Sequence, residues 1–110
     1  MDKTTNAENQ NVKGALAYLL GPFTGVFFLL TEKKNSFIRF HAMQSLVLFG
    51  ALFILHIILT FSLIGLILIP FLIIAEFVLW IMLMWKAFNG EEFTLPIVGE
   101  LAKKQLVKMK

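Results

Sequence analysis

Two side chains stand alone in the longest apolar stretch of this chain: from Ser45 to Trp85 the only ionisable groups are His56 and Glu76. An acid at the centre of a membrane helix costs roughly 2.5–3.5 kcal/mol on insertion scales, so Glu76 is expected to face protein or water. With a tight turn centred on Gly65, His56 falls nine residues before it and Glu76 eleven after. Two antiparallel helices then bring them within about one turn of the same depth. An imidazole and a carboxylate so paired can relay a proton or hold a cation. They can equally clamp two helices together, or a protonated Glu76 can bond a backbone or hydroxyl group such as that of Thr60. A second set, His41, Gln44 and Ser45, shares one helix face at i, i+3 and i+4. It offers donors and acceptors to a ligand, to a partner or to the polar segment 89–96. His41 and His56 are fifteen residues apart, about 22 Å along one helix, too far to share a metal ion. The sequence contains no nucleotide loop, serine elbow, His-rich cluster or usefully placed carboxylate pair. Cysteine is absent, which removes disulfides, thiolate metal sites and thiol nucleophiles. These residue types point away from an enzyme and imply no cofactor and no metal.

The elements that must position these groups are set by hydropathy. The chain has 110 residues, 58% hydrophobic and 15% charged, against roughly 25% charged in ordinary soluble domains. The run from Ser45 to Trp85 is about twice the ~20 apolar residues that one helix needs to cross a bilayer. The pattern predicts an all-α membrane protein with three transmembrane helices, at about 13–31, 45–62 and 70–88. A disordered polar N-tail (1–12) precedes them, and an amphipathic interfacial helix (about 97–110) follows, so that 13–110 make one helical membrane domain. The first span is expected to be kinked or broken at Gly21-Pro22. Ala17, Gly21 and Gly25 recur every four residues and form a face for close helix packing, within the chain or against a partner. Ser36 suits the N-cap of the next helix, with Phe37 and Phe40 at the membrane boundary. Residues 63–69 are read as the turn, with Gly65 as breaker and Pro70 in the first turn of the third span. Trp80, Trp85 and Lys86 form an interfacial anchor group. In the last helix Ile97, Val98, Leu101, Ala102, Leu106 and Met109 share a broad face opposite most of the lysines.

Net charge is +3. The basic residues flank apolar runs, so anionic lipid headgroups on the cytoplasmic side, rather than nucleic acid, are the expected partner of Lys33, Lys34, Lys103, Lys104 and Lys108. With three spans, Lys3 and Lys13 lie on the side of the 63–69 turn, and the other eight basic residues lie opposite. That asymmetry predicts the N-terminus outside and the C-terminus in the cytoplasm of a prokaryotic plasma membrane. If Pro22 turns the first span back on itself, the N-terminus returns to the cytoplasmic side.

Four stretches carry a family resemblance: Ala17-Tyr18-Leu19-Leu20-Gly21-Pro22-Phe23-Thr24-Gly25, then Glu32-Lys33, then Phe37-Ile38-Arg39-Phe40-His41-Ala42-Met43-Gln44-Ser45, and Leu95-Pro96-Ile97-Val98-Gly99. In this order they resemble an uncharacterised family of small prokaryotic membrane proteins. That family is grouped distantly with the channel component of the chloroplast inner-envelope protein-import translocon (Tic-like). Arg39, His41, Gln44 and Ser45 lie in the most specific stretch. The resemblance implies a bundle of three or four spans and supplies no activity. The expected function is a non-enzymatic accessory or scaffold subunit, related to protein translocation and acting through contacts with another membrane protein or with its own copies. The alternative is a small proton or ion transporter, or an oligomeric channel, lined by Glu76 and His56.

Overall fold

Pro22 decides the architecture. It has no N–H to offer the carbonyl of Tyr18, and its ring would collide with that carbonyl in a continuing helix. The computed structural model describes residues 3–109, and in it the apolar run from Gly14 to Thr31 is split. Helix α1 spans Lys3–Leu16, residues 17–21 form a turn, and α2 spans Pro22–Thr31. Gly21 closes the turn at φ +64, where a side chain would be strained. The ten residues of α2 rise only about 15 Å, half of a ~30 Å hydrocarbon layer. In place of the expected span at 13–31 stands a helical hairpin whose apolar limb α2 is too short to cross by itself.

Its two limbs return to one end. Lys13 pairs with Glu32, Asn35 Nδ2 donates to Gln10 Oε1 at 2.9 Å, and the Asn11 amide lies beside Gly90. Residues 3–12, expected as a disordered tail, are helical and belong to α1; the first two residues of that tail, and Lys110, lie outside the described residues. The N- and C-terminal helices share one end of the bundle. The expectation that the two termini lie on opposite sides depended on a first span long enough to cross.

Two helices, not three, are long and apolar enough to span: α3 (Ser36–Thr60) and α4 (Leu63–Phe88). Asn35, one residue before the expected Ser36, caps α3 by accepting from the Ile38 N–H at 2.9 Å. The turn is shorter than expected, only Phe61-Ser62, because Ser62 caps α4 through its hydroxyl. Gly65 is then not a breaker. It lies inside α4, where any Cβ would run into the backbone of Leu59, so it marks the close approach of the two spans. Pro70 also lies inside α4 rather than at its start, a position that lipid-embedded helices tolerate.

Residues 89–97 lead back along α3 to α5 (Val98–Lys108). The expected interfacial helix docks on the protein through buried Gly99 and Ala102 and half-buried Leu106. Ile97, Leu101, Val107 and Met109, from the same expected apolar face or next to it, remain exposed. Core packing gathers at this end, in one cluster around Ala17, Phe28, Phe37, Ile38 and Ala42 and a second around Tyr18, Leu48, Leu83 and Ala87. The other end of α3 and α4 is a bare two-helix hairpin exposing Phe53, Ile58, Phe61, Ile64 and Ile67. We call the covered end the cap.

Candidate functional site

The break at Pro22 frees backbone carbonyls in a setting where water cannot satisfy them. Three carbonyls of the turn find side-chain donors. The Ala17 carbonyl accepts from Thr24 Oγ1 at 3.0 Å, the Tyr18 carbonyl from Trp80 Nε1 at 2.6 Å, and the Gly21 carbonyl from Ser45 Oγ at 3.0 Å. These bonds pin the re-entrant turn to α3 and α4. Ser45 is thus a structural donor. Trp80, expected in an interfacial anchor group, is half-buried against the cap; Trp85 is exposed.

One turn earlier on α3, His41 and Gln44 are fully buried together with Tyr18. Gln44 Nε2 donates to the Tyr18 hydroxyl oxygen at 2.8 Å and to the Phe93 carbonyl at 2.9 Å, while its Oε1 accepts from the Leu95 N–H at 2.9 Å. Its amide thereby ties the backbone of residues 93–95 to α3. The Tyr18 hydroxyl lies 2.7 Å from His41 Nδ1, and His41 Nε2 lies 3.0 Å from the Glu91 carbonyl. Every donor meets an acceptor in only one arrangement: Gln44 donates to Tyr18, Tyr18 donates to Nδ1, and the ring carries its hydrogen on Nε2 toward Glu91. Among the described residues no buried side-chain nitrogen or oxygen lacks a partner. Phe37, Phe40 and Tyr18 pack edge-on around the His41 ring, so the two phenylalanines are core rather than boundary residues. Arg39, from the most specific family-like stretch, donates from Nη1 to the carbonyls of Leu29 at 3.0 Å and Glu32 at 3.4 Å, closing the end of α2.

The set Arg39, His41, Gln44 and Ser45 therefore holds α2, the re-entrant turn and the 91–95 segment to α3. Sequence reasoning missed Tyr18 as its hub, though a lone tyrosine in an apolar run, needing a partner for its hydroxyl, was a usable signal. Ala17, Gly21 and Gly25 do not form one continuous helix face. Ala17 lies in the turn, Gly21 precedes α2, and only Gly25 is helical. All three are buried, and a Cβ on Gly25 would meet the Ala42 carbonyl at 2.8 Å. The small residues are occupied by α3 within the chain.

His56 Nε2 lies 2.6 Å from Glu76 Oε2, with both side chains partly exposed in a groove of about 540 Å³ beneath Pro22 and Phe23. The two Cα positions are staggered along the hairpin. Helical side chains lean toward their own N-terminus, and in an antiparallel pair that brings His56 and Glu76 toward each other. Thr60 bonds back to the His56 carbonyl and not to Glu76. Of the expected headgroup ligands, Lys33 and Lys34 line a cleft beside Arg39, Lys103 lies over the Phe40 ring, and Lys104 and Lys108 are exposed on α5.

A family model described as the magnetosome magnetite crystal formation protein family, MamF/MmsF, matches residues 9–102. A UPF0132 membrane protein of Methanocaldococcus jannaschii is 45% identical over 104 residues, 94% of this chain and 94% of that protein. A UPF0132 membrane protein of Archaeoglobus fulgidus is 47% identical over 98 residues, 88% of this chain and 95% of that one. No solved structure matches the chain. The relatives' names speak of membrane proteins and carry no link to the chloroplast translocon. They put the chain among prokaryotic membrane proteins. The match runs from the last turns of α1 to Ala102, taking in both spans and the hydrogen-bonded cap, and the chain belongs to the MamF/MmsF family.

Proposed function

We propose that the protein is a non-enzymatic accessory or scaffold subunit, anchored by the α3–α4 hairpin and acting through contacts of its cap. The observation that carries this reading is the closed network of Tyr18, His41 and Gln44. These fully buried groups satisfy one another and the 91–95 backbone, whereas a catalytic group must be reachable by its substrate. Two spanning helices in one copy enclose no path for a polypeptide, so a translocation channel would need several copies; a scaffold needs none. For this chain, the magnetite crystal formation in the family description is read as one setting in which a membrane-held scaffold acts. The test is pulldown of the tagged chain from its native membrane in gentle detergent, with the native mass of the purified species. A stoichiometric partner protein is the expected result; a homo-oligomer free of other proteins would overturn it.

The cap is read as cytoplasmic. No Lys or Arg lies between Arg39 and Lys86, so with two spans the nine basic residues among the described ones fall at the cap end and none at the Phe61-Ser62 turn. That is a stronger positive-inside bias than two against eight. In this cysteine-free chain, Glu8→Cys and Gln105→Cys are expected to be protected from a membrane-impermeant thiol reagent in intact cells, and Phe61→Cys to react. Labelling of Glu8→Cys together with Phe61→Cys would restore a crossing first span.

The second reading is a proton or ion path in an oligomer, favoured by the 2.6 Å His56–Glu76 contact in a groove. It requires that Glu76→Gln abolish a pH-dependent flux in liposomes. No flux in the unmodified protein, or unchanged flux in the variant, would remove it.

A further inference from the structure

The α2–α3 connection and the end of α5 enclose a cleft of about 480 Å³ with two kinds of wall. Leu29, Leu30, Leu106 and Val107 make an apolar trough, while Lys33, Lys34 and Arg39 supply three cations. The acid of the connection, Glu32, is already paired with Lys13, so it does not cancel them. Arg39 is fixed by bonds to the Leu29 and Glu32 carbonyls, both made from Nη1. A guanidinium has five N–H donors, so those on Nε and Nη2 are not engaged by these bonds.

We propose that this cleft binds one anionic phospholipid, its phosphate held by Lys33, Lys34 and Arg39 and the upper part of an acyl chain lying against Leu29, Leu30, Leu106 and Val107. The chemistry selects this occupant. A free phosphate would leave the apolar trough unused, and a zwitterionic lipid would bring its own cation against three others. An anionic lipid carries both complementary parts, and it is concentrated at the depth where α3 enters the bilayer.

The experiment is native mass spectrometry of the full chain released from nanodiscs of phosphatidylglycerol or phosphatidylcholine. One retained phosphatidylglycerol per chain is expected, and no retained phosphatidylcholine. Lys33 and Lys34 are exposed, so Lys33→Gln/Lys34→Gln should fold; it is expected to weaken retention by roughly thirty-fold, two basic contacts near a membrane surface. Lys103→Gln/Lys104→Gln removes the same charge from the cap outside the cleft and is expected to keep the lipid within about three-fold. Equal loss in the two double variants would mean diffuse attraction and would overturn the site. So would equal retention of phosphatidylcholine, or displacement of the lipid by millimolar inorganic phosphate.

Discussion

Replacing Gln44 with leucine should loosen one segment and leave the spans intact. The side chain makes three bonds, to the Tyr18 hydroxyl, to the Phe93 carbonyl and from the Leu95 N–H. Leucine fills much the same space and makes none of them. The Tyr18 hydroxyl keeps its acceptor, His41 Nδ1. The Leu95 N–H is buried, and an orphaned buried donor costs about 1–3 kcal/mol. The Phe93 bond is partly exposed, and losing it costs the ordinary net 0.5–1.5 kcal/mol or so. Together they amount to at least about 1.5 kcal/mol, roughly tenfold in the equilibrium for lifting 91–95 away from α3. Lifting is the cheaper response, because Glu91 and Glu92 are already exposed and the freed backbone then meets water. The assay is amide hydrogen exchange in nanodiscs. Exchange across 89–97 is expected to rise by roughly tenfold or more, with the first half of α4 unchanged. Unaltered exchange across 89–97 in the variant would show that Gln44 does not hold the segment, and the account of the cap as a hydrogen-bonded lock would fall.

Two further substitutions separate close packing from mere helix preference. Gly25→Ala would set a Cβ 2.8 Å from the Ala42 carbonyl and is expected to lower stability by about 1–3 kcal/mol as α2 is pushed from α3. A thermal melt in detergent reads this, and an unchanged Tm would refute the contact. Gly50→Ala meets nothing within 4 Å, so it should be neutral or stabilise by up to about 1 kcal/mol through helix propensity; a loss there would mean that α3 is covered at a point where this structure leaves it open. If His56 and Glu76 act as a clamp, Glu76→Gln should cost little, since an amide still bonds the imidazole, while Glu76→Leu should lower the same Tm. Equal melts for both variants would refute the clamp.

The long elements were legible because hydropathy writes them directly: a run from Ser45 to Trp85 with no ionisable side chains but His56 and Glu76 admits few arrangements besides a hairpin of spans. The misreadings share one cause. Taken in isolation, Gly65, Pro70 and Trp80 read as breaker, first-turn residue and interfacial anchor. In the structure, tertiary contacts decide. Gly65 is needed for the approach to Leu59, and Trp80 is drawn inward by a carbonyl that Pro22 freed. Pro22 itself was visible, but whether it kinks or reverses a helix depends on what satisfies the freed carbonyls. Those donors, Thr24, Ser45 and Trp80, lie up to 62 residues away in sequence. The 89–96 segment was legible as a candidate partner for His41 and Gln44; Tyr18 offered only its lone hydroxyl as a signal, because it sits in a turn that no periodicity announces.

A hairpin that reaches only halfway poses a physical problem for the rest of the molecule. Beyond the groove beneath Pro22 and Phe23, α3 and α4 have only each other, and apolar side chains give them little reason to associate, because lipid tails are as good a solvent as leucine. Two features of that bare half supply what hydrophobicity cannot. Gly65 lets the backbones meet at Leu59, so dispersion contacts form that lipid would not match. His56 and Glu76 bond across the pair at 2.6 Å, and separating them would leave an acid and an imidazole facing hydrocarbon. One contact lies near the turn and the other deeper in the membrane, so together they fix both the spacing and the register of the two helices. The residues that first looked like chemistry are thus the ones best placed to keep the exposed half of the hairpin in a single arrangement, while the cap does so for the other half with backbone carbonyls and buried side chains.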